Sequence, residues 1–207
     1  MFESEELLHR VFCDPLPECC DAAYIFGQTP DNELSIFQRA QSLVENRQTL
    51  AIWIPGTDAM SGYSGQKAWC DRMAAYIPIG LIQPVPTAPT TSLNTLIEAQ
   101  AIVRYAKAQR VKSLLVVATP FHQQRAVMTT ITVLLAEYPD LQVYSAPGVA
   151  TDWQATVVHS QGTLQGKCYE LIYGEQERID KYEKKGDLAS REIILEYLRK
   201  RDVSTEN

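Results

Sequence analysis

No apolar run in this sequence approaches the roughly 18 residues that a membrane-spanning helix needs, which leaves it without a transmembrane candidate. Basic residues are also in the minority: 19 Lys and Arg against 25 Asp and Glu give a net charge of −6. That balance argues against a broad basic groove for nucleic acid. The first residues, Met1-Phe2-Glu3-Ser4-Glu5-Glu6, are acidic where a signal peptide would be basic. Cysteine is scarce and unpaired. Cys13, Cys19, Cys20, Cys70 and Cys168 make an odd set without a C-x-x-C, a poor disulfide framework. Asp14 and Asp21 beside the first three cysteines could be drawn as metal ligands, but no second half of a zinc site follows. The expectation is a cytoplasmic globular protein with reduced thiols and no metal, membrane or nucleic-acid partner.

Chemistry motifs are missing as well. No G-x-G-x-x-G and no phosphate-binding G-x-x-x-x-G-K-[ST] occurs. Gly62-Tyr63-Ser64-Gly65 falls short of the nucleophile-elbow pattern, so a triad of Ser64, His122 and an Asp exists on paper only. His9, His122 and His159 are isolated in sequence, and no internal repeat or low-complexity tract appears.

What is present is an alternation of short apolar runs with longer amphipathic ones. Ala22-Ala23-Tyr24-Ile25-Phe26, Leu50-Ala51-Ile52-Trp53-Ile54, Ile79-Gly80-Leu81-Ile82, Ser113 to Ala118 and Leu141-Gln142-Val143-Tyr144 read as strands. Between them, 34–47, 65–76, 94–109 and about 121–137 carry helical spacing. Such alternation predicts βαβ units and a parallel sheet, with both faces covered where the strands are continuously apolar. The fold class expected is a three-layer αβα Rossmann-like domain with a mostly parallel sheet of five strands or slightly more, plus C-terminal helices. Its boundaries are drawn at 1–166, with an N-terminal helix at 1–12 and a core at about 21–153. The charged segment 167–207 reads as a helical appendage, in which Leu188, Ile193, Ile194, Tyr197 and Leu198 form an apolar stripe.

Ligands of open parallel sheets bind beyond the C-terminal strand ends, and there this chain places its polar residues. The candidate binding residues are Gly27, Gln28 and Thr29 after the first strand, Gly56 and Thr57 after the second, and Asn94 and Thr95 before a helix. Thr119, His122 and Arg125 follow the fourth strand. His122 and Arg125 are three residues apart at a helix start, on one face. A cation there opposes the helix dipole unless an anion compensates, either a ligand or an internal partner such as Asp58 or Glu98. An imidazole that titrates near neutral pH makes His122 the candidate acid or base.

The same residues carry a resemblance. Asp21-Ala22-Ala23-Tyr24-Ile25-Phe26-Gly27, Arg39-Ala40, Pro55-Gly56-Thr57, Ser92-Leu93-Asn94-Thr95 and, most specifically, Val117-Ala118-Thr119-Pro120-Phe121-His122-Gln123-Gln124-Arg125-Ala126 resemble the motifs of a domain-of-unknown-function family that includes YdcF, SanA and ElyC. The resemblance spans about residues 21–153. The chain departs from it at Arg39-Ala40, where the R-x-x-A spacing is not kept, at Pro55-Gly56-Thr57 in place of S-G-G, and at Ile97-Glu98 in place of Glu-Asn. The resemblance implies a Rossmann-like fold that takes a ligand such as S-adenosylmethionine, and a link to cell-envelope biogenesis in some members. The functional expectation is a protein that binds an anionic or nucleotide-like small molecule. The alternative is a non-catalytic regulatory or scaffold protein that meets a protein partner through its C-terminal helices.

Overall fold

The computed structural model describes residues 2–159 and 162–205. Five parallel strands form one sheet: β1 (Ala22–Ile25), β2 (Ile52–Gly56), β3 (Ile82–Pro86), β4 (Ser113–Val117) and β5 (Gln142–Ser145). Their spatial order is β3-β2-β1-β4-β5. The chain therefore builds outward from β1 on one side, then crosses to the other side at β4. This reversal opens a crevice between the C-terminal ends of β1 and β4.

Strand side chains alternate between faces, and that alternation sorts the helices into layers. Tyr24, Trp53, Leu114, Val116 and Val143 point to one face. There they meet α1 (Phe2–Phe12), α4 (Thr95–Gln109), α5 (Pro120–Glu137), α6 (Cys168–Lys185) and α7 (Arg191–Thr205). Ala23, Ile25, Ile52, Ile54, Leu115 and Val117 point to the other face, toward α2 (Glu33–Glu45) and α3 (Gln66–Met73). The result is a three-layer α/β Rossmann-like fold. Trp53, Ile54, Val116 and Val117 are buried in its central strands, as their apolar runs predict.

Three features differ from the sequence reading. The third strand is not Ile79–Ile82: Ile79–Leu81 is a single 3-10 turn and the strand runs through Pro84 and Pro86. Proline lacks an N–H for the ladder, but β3 is the sheet edge and pairs with β2 alone, so this is a place where proline is tolerated. Secondly, a small antiparallel hairpin, β6 (Thr156–His159) with β7 (Leu164–Lys167), follows the sheet. It is stitched to the loop after β1: Thr29 Oγ1 and Asn32 Nδ2 donate to the Val158 carbonyl at 2.6 and 2.8 Å, and Asp31 accepts from the Val158 N–H at 3.0 Å. Thirdly, the C-terminal helices share the main core, with Ile179, Leu188, Ile194 and Leu198 all buried against it. The α7 stripe is thus covered by the chain itself; of its members only Ile193 is exposed.

The α7 end is locked by one ion pair. Arg201 donates to Asp14 with both terminal nitrogens, at 2.8 and 2.6 Å, and both side chains are 1% exposed. Arg201 also donates to the Val143 carbonyl and to Asp202, and it stacks on the Tyr144 ring at 4.3 Å.

Among the described residues, no helix is long and apolar enough to cross a membrane.

Candidate functional site

The crevice between β1 and β4 holds a cavity of about 120 Å³. Seven of the ten residues expected at a site line it: Gly27, Gln28 and Thr29 from the loop after β1, Asn94 and Thr95 from the start of α4, and His122 and Arg125 from α5. Gly27 is closely packed there: a Cβ would stand 3.1 Å from the Leu93 side chain and 3.3 Å from that of Pro55. Asn94 caps α4, its side chain accepting from the Ile97 N–H at 3.0 Å. The cavity therefore sits against two helix N-termini, each presenting the positive end of its dipole.

The other three lie elsewhere. Gly56 is packed on the edge strand, where a Cβ would stand 2.6 Å from the Val85 carbonyl oxygen. The Thr57 hydroxyl turns to the Met60 sulfur at 3.9 Å. Thr119 is 1% exposed and sealed beneath α5; its hydroxyl has no partner among the described residues. The loop after β2 does reach the cavity, but through Ser61 and Tyr63 rather than through Gly56 and Thr57.

Thr95 is the hub. Gln28 Nε2 lies 3.2 Å from His122 Nδ1. An amide nitrogen can only donate, so Nδ1 accepts and the ring proton resides on Nε2. That proton is given to Thr95 Oγ1 at 3.1 Å, and Arg125 NH1 donates to the same oxygen at 2.6 Å. With two donors already arriving, the Thr95 hydroxyl hydrogen remains to be donated outward. Burial, followed by the charge of Arg125, holds the His122 imidazole well below its ordinary titration range, so the ring is neutral.

The anion that compensates Arg125 is neither Asp58 nor Glu98. It is Glu175, from the segment the sequence marks as an appendage. Arg125 Nε and NH2 approach its two oxygens at 2.5 and 3.2 Å. His159 Nε2 and Arg178 NH1 meet the same carboxylate at 2.8 and 2.7 Å. Burial opposes ionisation of Glu175, but His159 and Arg125 outweigh it and hold its carboxyl well below the usual range. Arg125 lies in the second turn of α5, since the helix begins at Pro120.

Glu98, which the sequence offers only as a partner for Arg125, is itself a cavity group. It lines the cavity one turn into α4 and is 3% exposed. Its Oε2 accepts from Tyr24 Oη at 2.9 Å and from the Gly27 N–H at 2.8 Å. Oε1 has no partner among the described residues. Burial pushes this carboxyl up to about 8, against the lowering effect of those two donors and of Arg125. Its signal lay in the helical register: Glu98 is three and four residues from Thr95 and Asn94, hence on the same face. His159, Arg178 and Tyr182 also line the cavity. They arrive through the hairpin and α6, and no local pattern announces that.

The donor set is nitrogen- and hydroxyl-rich. Among the described residues no group of three or more His, Cys, Asp or Glu could hold a metal ion. No protein-family model matches this chain, and no curated protein matches it.

Proposed function

We propose that the crevice cavity binds a small anion, a phosphate or carboxylate group, as the head of a small-molecule ligand. The observation that carries this reading is the donor set of the wall. Arg125 and Arg178 both line the cavity, while Glu98 keeps its proton up to about 8 and so adds no negative charge at neutral pH. The Thr95 hydroxyl and the neutral Glu98 carboxyl are further donors. Two helix N-termini add to the same preference.

Within this reading His122 is a positioning residue, because both ring nitrogens are engaged and the ring is neutral. Glu98 is the cavity group able to give or take a proton near neutral pH, so it takes over the acid or base role first assigned to His122. S-adenosylmethionine meets this reading only through its carboxylate, since its sulfonium and ammonium groups gain nothing from Arg125 and Arg178. The alternative, a partner met through the charged C-terminal helices, would have to use their exposed face, since the α7 stripe is largely covered.

The test is calorimetric titration with inorganic phosphate and with acetate at pH 7. Wild-type protein binds at least one of them, and Arg178→Gln weakens that binding tenfold or more with little change in melting temperature. No binding of either anion overturns the proposal.

A further inference from the structure

A second cavity, of about 330 Å³, adjoins the first and shares Asn94, Thr95, Arg125 and Tyr182 with it. The two are therefore chambers on either side of the Arg125 and Tyr182 side chains. Arg125 borders both. The inner chamber adds the Arg178 guanidinium and the buried Glu98 carboxyl. The outer one is walled by Leu96, Leu188, Thr129 and Tyr182, with Asp187 as its acidic group. Leu188 is 4% exposed and Thr129 6%, so the floor is fixed; the Thr129 hydroxyl is already turned to the Arg125 carbonyl at 2.7 Å. Asp187 is exposed, follows the turn that ends α6 at Gly186, and its carboxylate makes no hydrogen bond among the described residues.

We propose that the outer chamber holds the uncharged remainder of the ligand whose anionic head lies in the inner one, and that this remainder is a ring bearing hydroxyl or amino groups. The inference rests on the anion reading of the inner chamber and narrows it to a phosphomonoester or carboxylate with a single anionic end. Three features select for this class. Leu96, Leu188 and Tyr182 offer apolar lining to a ring. Asp187 accepts hydrogen bonds from hydroxyl or amino groups at the mouth. The same carboxylate repels a second anionic group there, so a ligand phosphorylated at both ends is disfavoured.

Three probes separate the parts: inorganic phosphate, ribose 5-phosphate and ribose 1,5-bisphosphate, each titrated into wild-type protein and Asp187→Asn. On wild type, ribose 5-phosphate binds at least fivefold more tightly than inorganic phosphate and more tightly than the bisphosphate. In Asp187→Asn, inorganic phosphate is unchanged, ribose 5-phosphate loses most of its advantage, and the bisphosphate gains. If inorganic phosphate binds but ribose 5-phosphate gains nothing over it, the outer-chamber proposal is overturned and the anion reading stands. A variant that weakens inorganic phosphate as much as ribose 5-phosphate also overturns it, because Asp187 would then act on the inner chamber. If neither inorganic phosphate nor acetate binds, the anion reading falls and this inference with it.

Discussion

Two buried arginine–carboxylate pairs fasten the C-terminal helices to the sheet, and they are built to different ends. At the α7 end, Arg201 is met by Asp14 and Asp202, and Asp202 also takes Arg10 at 2.5 Å. Two cations face two anions, and the Arg201 donors reach Asp14, Asp202 and a backbone carbonyl. At the α6 end, Arg125 and Arg178 both meet Glu175, and Arg125 borders both chambers. In the first cluster Arg201 and Asp14 are each 1% exposed; the second lines the crevice cavity. The same chemical pair thus serves as a clamp in one place and as a site in the other. What separates them is what surrounds each pair, more than the pair itself.

The largest effect is expected at the clamp. Arg201→Ala strands Asp14 without its buried partner and should cost about 3–5 kcal/mol, the range for breaking a buried pair, seen as a fall in melting temperature or in the urea midpoint. Surviving folded protein should bind inorganic phosphate as before. Glu175→Gln should cost somewhat less, about 2–3 kcal/mol, the upper range for hydrogen bonds to a charged group, because the two freed guanidinium groups can reach water through the cavity. It should gain more thermal stability on addition of phosphate than either wild type or the clamp variant does. Equal phosphate responses in Glu175→Gln and Arg201→Ala would erase the distinction between the two clusters.

A third effect is set by pH. Glu98 is neutral in the fold up to about 8, whereas in the unfolded chain it ionises in the ordinary carboxyl range. Folding therefore takes up a proton between those values, and stability falls as pH rises through that window, by at most about 1.4 kcal/mol per pH unit. Phosphate affinity should fall several-fold as pH passes about 8, since Glu98 then adds a negative charge to the wall. Glu98→Gln imitates the protonated carboxyl: its amide oxygen can accept from Tyr24 and Gly27 while its NH2 donates. That variant should flatten the stability loss, and what remains of the phosphate loss above pH 8 should come from other groups. An unchanged slope in the variant would remove Glu98 from the site. The smallest effect is expected from Tyr197→Phe. It deletes the hydroxyl that accepts from the Val143 N–H at 2.7 Å and donates to the Leu141 carbonyl at 2.9 Å. A loss of about 1 kcal/mol with unchanged phosphate binding is expected in denaturant titrations.

The layered sheet was legible because its signal is local and repeated: Leu114 to Val117 can hardly be anything but a covered strand. The proline-bearing β3 was not, because tolerance for Pro84 and Pro86 comes from standing at an edge, a property of the assembled sheet. The site divided along the same line. Gln28, Asn94, Thr95, His122 and Arg125 follow from strand ends and helix starts, which topology gathers by rule. His159, Glu175 and Arg178 come from a hairpin and a helix whose docking depends on contacts over long sequence separations, such as Thr29 with Val158. Glu98 was in view as a neighbour of Arg125, yet its proton depends on burial, which residue spacing cannot report. Arg125 was rightly singled out as a cation in need of an anion, and the protein itself supplies one from α6.

The outer edge of β5 has a consequence for how the protein behaves in a crowd. Its Val143 N–H is bound by Tyr197, its Ser145 N–H by Asp14 at 2.8 Å, and its Val143 carbonyl by Arg201. Side chains from α7 and from the segment ahead of β1 thus occupy the positions a sixth strand would take. At the opposite margin, the prolines of β3 leave little N–H to offer. Peeling α7 away would uncover a bare, adhesive strand. Its docking is therefore a safeguard of solubility, and a chain clipped between α6 and α7 should accumulate as aggregates even where its crevice is intact.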